Sequence, residues 1–113
     1  MFITTLLKGM VVMPVIIDTE EGIVIARLSG EIDHHCAKEI RSDIDLAIEK
    51  LKPQKLILDY GNVTFMDSSG IGLVMGRYKA MKALGGFVIV DNTSSQIKKV
   101  MRLAGLDKLA VIS

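Results

Sequence analysis

The alternation of apolar and polar positions divides the chain into short strands and three amphipathic helices. VIID (residues 15–18) and IVIARLS (23–29) read as two strands joined by the turn TEEG (19–22). From position 34 to 51 the residues Ala37, Ile40, Ile44, Ala47, Ile48 and Leu51 recur at steps of three and four, one face of a helix. Asp33 is placed to cap its start, and Pro53 is a helix stop shortly after its end. KLILDY (55–60) is a compact apolar run of the kind found in a strand covered on both faces. After a loop, Ile71, Val74, Met75, Tyr78 and Met81 predict a second helix from about 69 to 84, closed by Gly85 and Gly86. FVIV (87–90) reads as a further strand, 94–104 as a third helix capped by Gly105, and LAVI (109–112) as a last strand.

After the opening hairpin the order is strand, helix, strand, helix, strand, helix, strand. Such alternation predicts an α/β domain with right-handed crossover helices. Its sheet of four to five strands is mostly parallel, and mixed because the first strand runs antiparallel to the second. In such units the loops leaving the carboxyl ends of the strands gather at one edge, where ligands and partners bind. Here those loops are 30–33, 61–68 and 91–93, and the three helices aim their unpaired N–H groups at the same edge.

Composition narrows the choice of partner. The 113 residues are half apolar and carry 14 basic against 13 acidic side chains, which suits one folded domain and excludes a disordered chain. Near-neutral charge and five aromatic residues argue against direct nucleic-acid binding. A single cysteine excludes a disulfide framework and suits a reducing compartment. The longest apolar run, MVVMPVII (10–17), falls far short of the roughly 20 residues that span a bilayer. The expectation is a small cytoplasmic domain without a membrane role, residues 15–113, preceded by an N-terminal extension, residues 1–14. MFITTLLKGMVVM has no cationic start, is interrupted by Lys8 and is followed by no A-x-A-like cleavage site, so it reads as a poor signal peptide. An added strand, a dimer contact, a mobile tail, or a misassigned start with Met10 or Met13 as the true one all remain open for it.

The densest chemistry lies in NVTFMDSSGIGLVMGRYK (62–79). Asp67 or Ser68 caps the second helix, leaving a serine hydroxyl at a helix start, where a phosphate meets free N–H groups and a favourable dipole. Gly70, Gly72 and Gly76 each cost a helix roughly 1 kcal/mol relative to alanine. Close packing of helix on sheet accounts for Gly72 and Gly76, and approach of a partner or phosphate accounts for Gly70. The spacing G-x-G-x-x-x-G misses the dinucleotide fingerprint, no G-K-[ST] is present for a P-loop, and G-x-S-x-G lacks its first glycine. GEIDHHCA (30–37) packs two carboxylates, two histidines and a thiol into six positions, too tightly spaced along a helix start to converge on one metal. It reads as a helix cap with solvated histidines, or as a recognition surface beside Ser68, with Cys36 a small, partly buried apolar residue. Arg77, Lys79 and Lys82, like Lys98, Lys99 and Arg102, are expected on solvated helix faces.

GEIDHHCA, LILDY, VTFMDSSGIGLVMGRYK and AGLDKL, in that order and spacing, resemble the bacterial anti-sigma-factor antagonists of the STAS domain family. The likeness runs from about residue 15 to 112. It implies a protein that is not an enzyme, needs no cofactor or metal, and works by partner switching. The unmodified form binds an anti-sigma factor that is also a serine kinase, and frees the sigma factor. That kinase, using ATP and magnesium, phosphorylates the first serine of DSSG, here Ser68, and the complex separates; a serine phosphatase restores the binding form. The resemblance places Asp33, His34 and His35 on the kinase-contacting surface, with Asp67, Ser69 and Gly70 flanking the modified serine. Ser69 is the competing phosphoacceptor. A STAS adaptor in another signalling complex is the alternative, and a nucleotide-binding or hydrolytic enzyme a more distant one. Two features depart from the pattern. Shorter members lack the N-terminal extension, and members often continue past the last strand into a further helix that bears on sheet coverage and dimerisation.

Overall fold

The computed structural model describes residues 14–113. The expectations for residues 1–13 lie outside the described residues. Strands β1 (Val15–Glu20) and β2 (Ile23–Ile32) form an antiparallel hairpin, and helix α1 (His34–Leu51) crosses to β3 (Lys55–Met66). Helix α2 (Ser68–Ala83), strand β4 (Phe87–Asp91), helix α3 (Ser95–Leu103), a single 3-10 turn (Leu106–Lys108) and strand β5 (Val111–Ile112) complete the chain. The sheet has the order β1-β2-β3-β4-β5, parallel throughout after the first pair. The mixed five-stranded α/β sheet expected from the pattern is the one observed.

Successive crossovers of one hand advance across the sheet in one direction, so the three helices cover the same face. That face is the core. Val24, Ala26 and Leu28 of β2, Leu56, Leu58 and Tyr60 of β3, and Val88 and Val90 of β4 are buried against Ile40, Ile44, Val74 and Met81. The alternate positions face the other way. Ile25, Ile57, Ile89 and Val111 form one cross-strand row there, and Arg27, Asp59 and Asp91 the next, where Arg27 pairs with Asp18 and Asp59. Among the described residues, KLILDY is therefore covered by helices on one face only.

The largest departure from the sequence expectation is the length of β2 and β3. The loops expected at 30–33 and 61–68 are mostly strand. The pairing runs Arg27↔Asp59, Ser29↔Asn62, Gly30↔Val63, Glu31↔Phe65 and Ile32↔Met66. β3 thus carries two residues more than β2 across two register shifts, and Gly30 takes up a left-handed backbone (φ 81) between them. The buried positions of this part of β3 are Tyr60, Val63 and Met66, a step of three instead of two. Bulges break the period-two signal by which a strand is recognised. β4 meanwhile ends at Asp91, opposite Asp59. Its following turn, 91–93, lies seven residues of β3 short of Met66, roughly 20 Å of strand. It meets β3 at Asp59 and Gly61, set back from the ends of β2 and β3 at Ile32 and Met66.

Smaller corrections follow from packing. α2 starts one residue early, at Ser68, and the last strand shortens because residues 106–108 close a 3-10 turn. Leu51 and Met75, assigned to apolar helix faces, are exposed, whereas Leu73 is buried. Arg77 is not on a solvated face. It is buried between the helices, with Nε 2.9 Å from Asp45 Oδ1 on α1.

Candidate functional site

The extension of β2 and β3 builds the site. Ile32 and Met66 are the last paired residues, so the residues that follow them, Asp33 and Asp67, leave the sheet side by side, tied by the hydrogen bond from Asp67 N–H to Ile32 O (3.1 Å). Each is extended and caps the helix it begins. Asp33 Oδ1 accepts from the N–H groups of His35 (2.9 Å) and Cys36 (3.1 Å). Asp67 Oδ1 accepts from Ser69 N–H (2.8 Å), which settles the cap of α2 on Asp67. The outcome is two parallel helices starting next to one another, with their positive ends adjacent.

Ser68 occupies the first position of α2 and is exposed; Ser69 and Asp67 are half-buried. His34 and His35 are exposed on the neighbouring helix start, their rings 4.1 Å apart and tilted by 36°. Asp33, His34, His35, Asp67, Ser68 and Ser69 are thus brought onto one surface. The Asp33 carboxyl is held below the usual aspartate range, first by the Cys36 thiol and then by the N–H groups it accepts from. Cys36 is half-buried, its Sγ 2.9 Å from Glu31 O and 3.2 Å from Asp33 Oδ1. Burial pushes that thiol up, and the group fits a packed thiol more than a nucleophile. Among the described residues no three His, Cys, Asp or Glu side chains stand together around one point. None of the described helices is long and apolar enough to cross a membrane.

Gly70, expected from sequence to flank the modified serine on the partner-binding side, lies beneath the exposed surface. It is buried, and a Cβ there would overlap Met66 Cγ and Sδ and approach Ile32 Cγ2 at 3.5 Å. The absent side chain lets α2 settle on the ends of β2 and β3. Gly72 and Gly76 have the opposite character, with nothing within 4 Å of a Cβ at either. The close packing of helix on sheet assigned from sequence to Gly72 and Gly76 therefore belongs to Gly70. Helix periodicity cannot separate them, because the atoms that crowd Gly70 include Ile32, distant in sequence.

Between the first turns of α1 and α2 lies a groove of about 370 Å³, lined by His34, Lys38 and Arg41 on one wall and Ser69, Gly72 and Leu73 on the other. Its cationic wall was absent from the sequence expectation. The spacing of 34, 38 and 41 along one helix face was readable, but the wall opposite was not.

The STAS domain profile matches residues 14–113. The chain is similar to the anti-sigma F factor antagonist of Paenibacillus polymyxa, 37% identical over 91 residues, covering 80% of this chain and 78% of that one. With the anti-sigma F factor antagonist of Lysinibacillus sphaericus it shares 42% identity over 88 residues, 78% of this chain and 74% of the relative. Among solved structures it is similar to the anti-sigma factor antagonist SpoIIAA in its unphosphorylated form (34% identity, TM-score 0.78, 88% of this chain and 87% of that one). It is likewise similar to the Bacillus cell fate determinant SpoIIAA in the phosphorylated form (34% identity, TM-score 0.71, 88% and 90%).

Proposed function

Because the chain belongs to the STAS domain family, we propose that it is an anti-sigma-factor antagonist switched by phosphorylation of Ser68. In its unmodified form it binds an anti-sigma factor, releasing the sigma factor that this partner holds. The observation that carries the reading is the exposed Ser68 hydroxyl at a helix start, set beside two helix-capping aspartates that the long β2–β3 pair brings together.

That geometry supplies a switch without refolding. The partner kinase, with ATP and magnesium, transfers the phosphoryl group to Ser68 Oγ, and this chain presents the hydroxyl. The free domain tolerates the product, since Ser68 is exposed at the start of α2, where the helix dipole favours an anion. The bound complex does not. A phosphate adds about 1.5 to 2 negative charges at neutral pH beside Asp33 and Asp67. A penalty of only about 3 kcal/mol lowers affinity roughly a hundredfold. Asp33, His34 and His35 complete the contact surface, and a serine phosphatase in the cytoplasm resets it.

The test uses purified anti-sigma F factor of Paenibacillus polymyxa with wild type, Ser68→Ala and Ser68→Asp. Wild type and Ser68→Ala bind, Ser68→Asp does not, and ATP with magnesium releases wild type while leaving Ser68→Ala bound. Phosphorylation and release of Ser68→Ala would move the acceptor to Ser69 and overturn the assignment.

A further inference from the structure

Resting on that reading, we propose that the groove between α1 and α2 seats an acidic segment of the partner kinase, gripped by Lys38 and Arg41 and admitted by Gly72. His34, Lys38 and Arg41 stand at i, i+4 and i+7, one row along the α1 wall. Among the described residues neither Lys38 nor Arg41 has a salt-bridge partner, and no carboxylate lines the groove. The acid one turn below Arg41 is Asp45, already held by Arg77. Arg77 Nη1 is itself buried without a hydrogen-bond partner, and the charge of Arg41 acts on it. Positive charge is therefore in excess along this wall, and the start of α2 at Ser69 adds its dipole to it.

The opposite wall is open where it meets these cations. Gly72 lowers the helix propensity of α2 relative to alanine, and no close packing inside the domain requires it, since a Cβ there meets nothing within 4 Å. The space it leaves lies on the outside, at the mouth of the groove. An incoming carboxylate side chain can reach the backbone of α2 there while its charge meets Lys38 and Arg41. The groove is open to solvent and flanked by the exposed side chains of His34, Lys38 and Arg41, so it suits a segment lying across it better than an enclosed small molecule. It adjoins Ser68, so a kinase seated here is registered on its substrate hydroxyl, and the acidic segment decides which kinase is accepted.

Two measurements test this. The first is the affinity of Paenibacillus polymyxa anti-sigma F factor for the Lys38→Glu/Arg41→Glu pair, for Gly72→Leu, and for a Lys99→Glu/Arg102→Glu control. The control makes the same charge change on the exposed outer side of α3. Both groove variants bind at least ~10-fold more weakly than wild type while the control binds like wild type, with circular dichroism confirming all folds. Equal effects of the two charge reversals, or none, would overturn the proposal. Failure of wild type to bind would count against the functional reading instead. The second measurement then decides the groove alone, by titrating the ¹⁵N-labelled full chain with hexaglutamate and with hexaarginine. Hexaglutamate shifts the amides of residues 37–41 and 69–73, weakening with salt and vanishing in the Lys38→Glu/Arg41→Glu pair. Shifts confined elsewhere, or their absence, would overturn the acidic occupant.

Discussion

Replacing Gly70 and Gly72 by alanine, two residues apart on α2, moves stability in opposite directions. At Gly70 the new methyl group overlaps Met66 Cγ and Sδ at the junction of β3 and α2, with Ile32 close behind. Met66 and Ile32 are both buried, so Met66 must change rotamer within a filled core. Overpacking of this kind costs about 1 to 3 kcal/mol. The gain in helix propensity offsets part of it, less than the full ~1 kcal/mol because Gly70 lies in the first turn. The net loss is about 1 to 2 kcal/mol. At Gly72 the methyl group enters open space in the helix interior, and the propensity gain of about 0.5 to 1 kcal/mol is kept. Thermal unfolding followed by circular dichroism reads the difference, at roughly 4 °C per kcal/mol for a domain of this size. Gly70→Ala lowers the midpoint by about 4 to 8 °C and Gly72→Ala raises it by about 2 to 4 °C. A midpoint lowered equally by both would refute the argument, because it would put Gly72 inside the packing of helix on sheet.

Asp33 gives the free domain a pH dependence at the acid end. Its folded value lies below the ordinary ~3.9, so the stabilisation is complete above that value and is lost as pH falls through the lower folded one. Asp33→Asn keeps a capping oxygen but not the charge, so its urea midpoint falls less between pH 5 and pH 2 than that of wild type; superimposable profiles would remove Asp33 as the source. The Arg77–Asp45 pair is asymmetric, with Arg77 buried and Asp45 nearly half-exposed. Asp45→Ala strands a buried guanidinium and costs about 1 to 2 kcal/mol, more than Arg77→Met, which removes that charge and fills its space. Urea unfolding of the two variants checks the order.

Much of this molecule is written in local sequence. The hairpin, the three helices with the cap at Asp33, and the parallel order of the sheet follow from periodicity and turn chemistry. These are interactions between residues a few positions apart, and the pattern of one segment suffices to reveal them. Ser68 at a helix start, with Asp33 and the paired histidines at another, is legible in the same way. What the tertiary structure decided is where those starts meet. β2 and β3 run on through two bulges whose step of three hides them from a period-two reading, and that extra length sets Asp33 and Asp67 together while leaving the end of β4 behind. The roles of Gly70 and Gly72, the burial of Arg77 against Asp45, and the cationic groove all depend on what a neighbouring element places opposite each residue. Such contacts join positions tens of residues apart, and no local period records them.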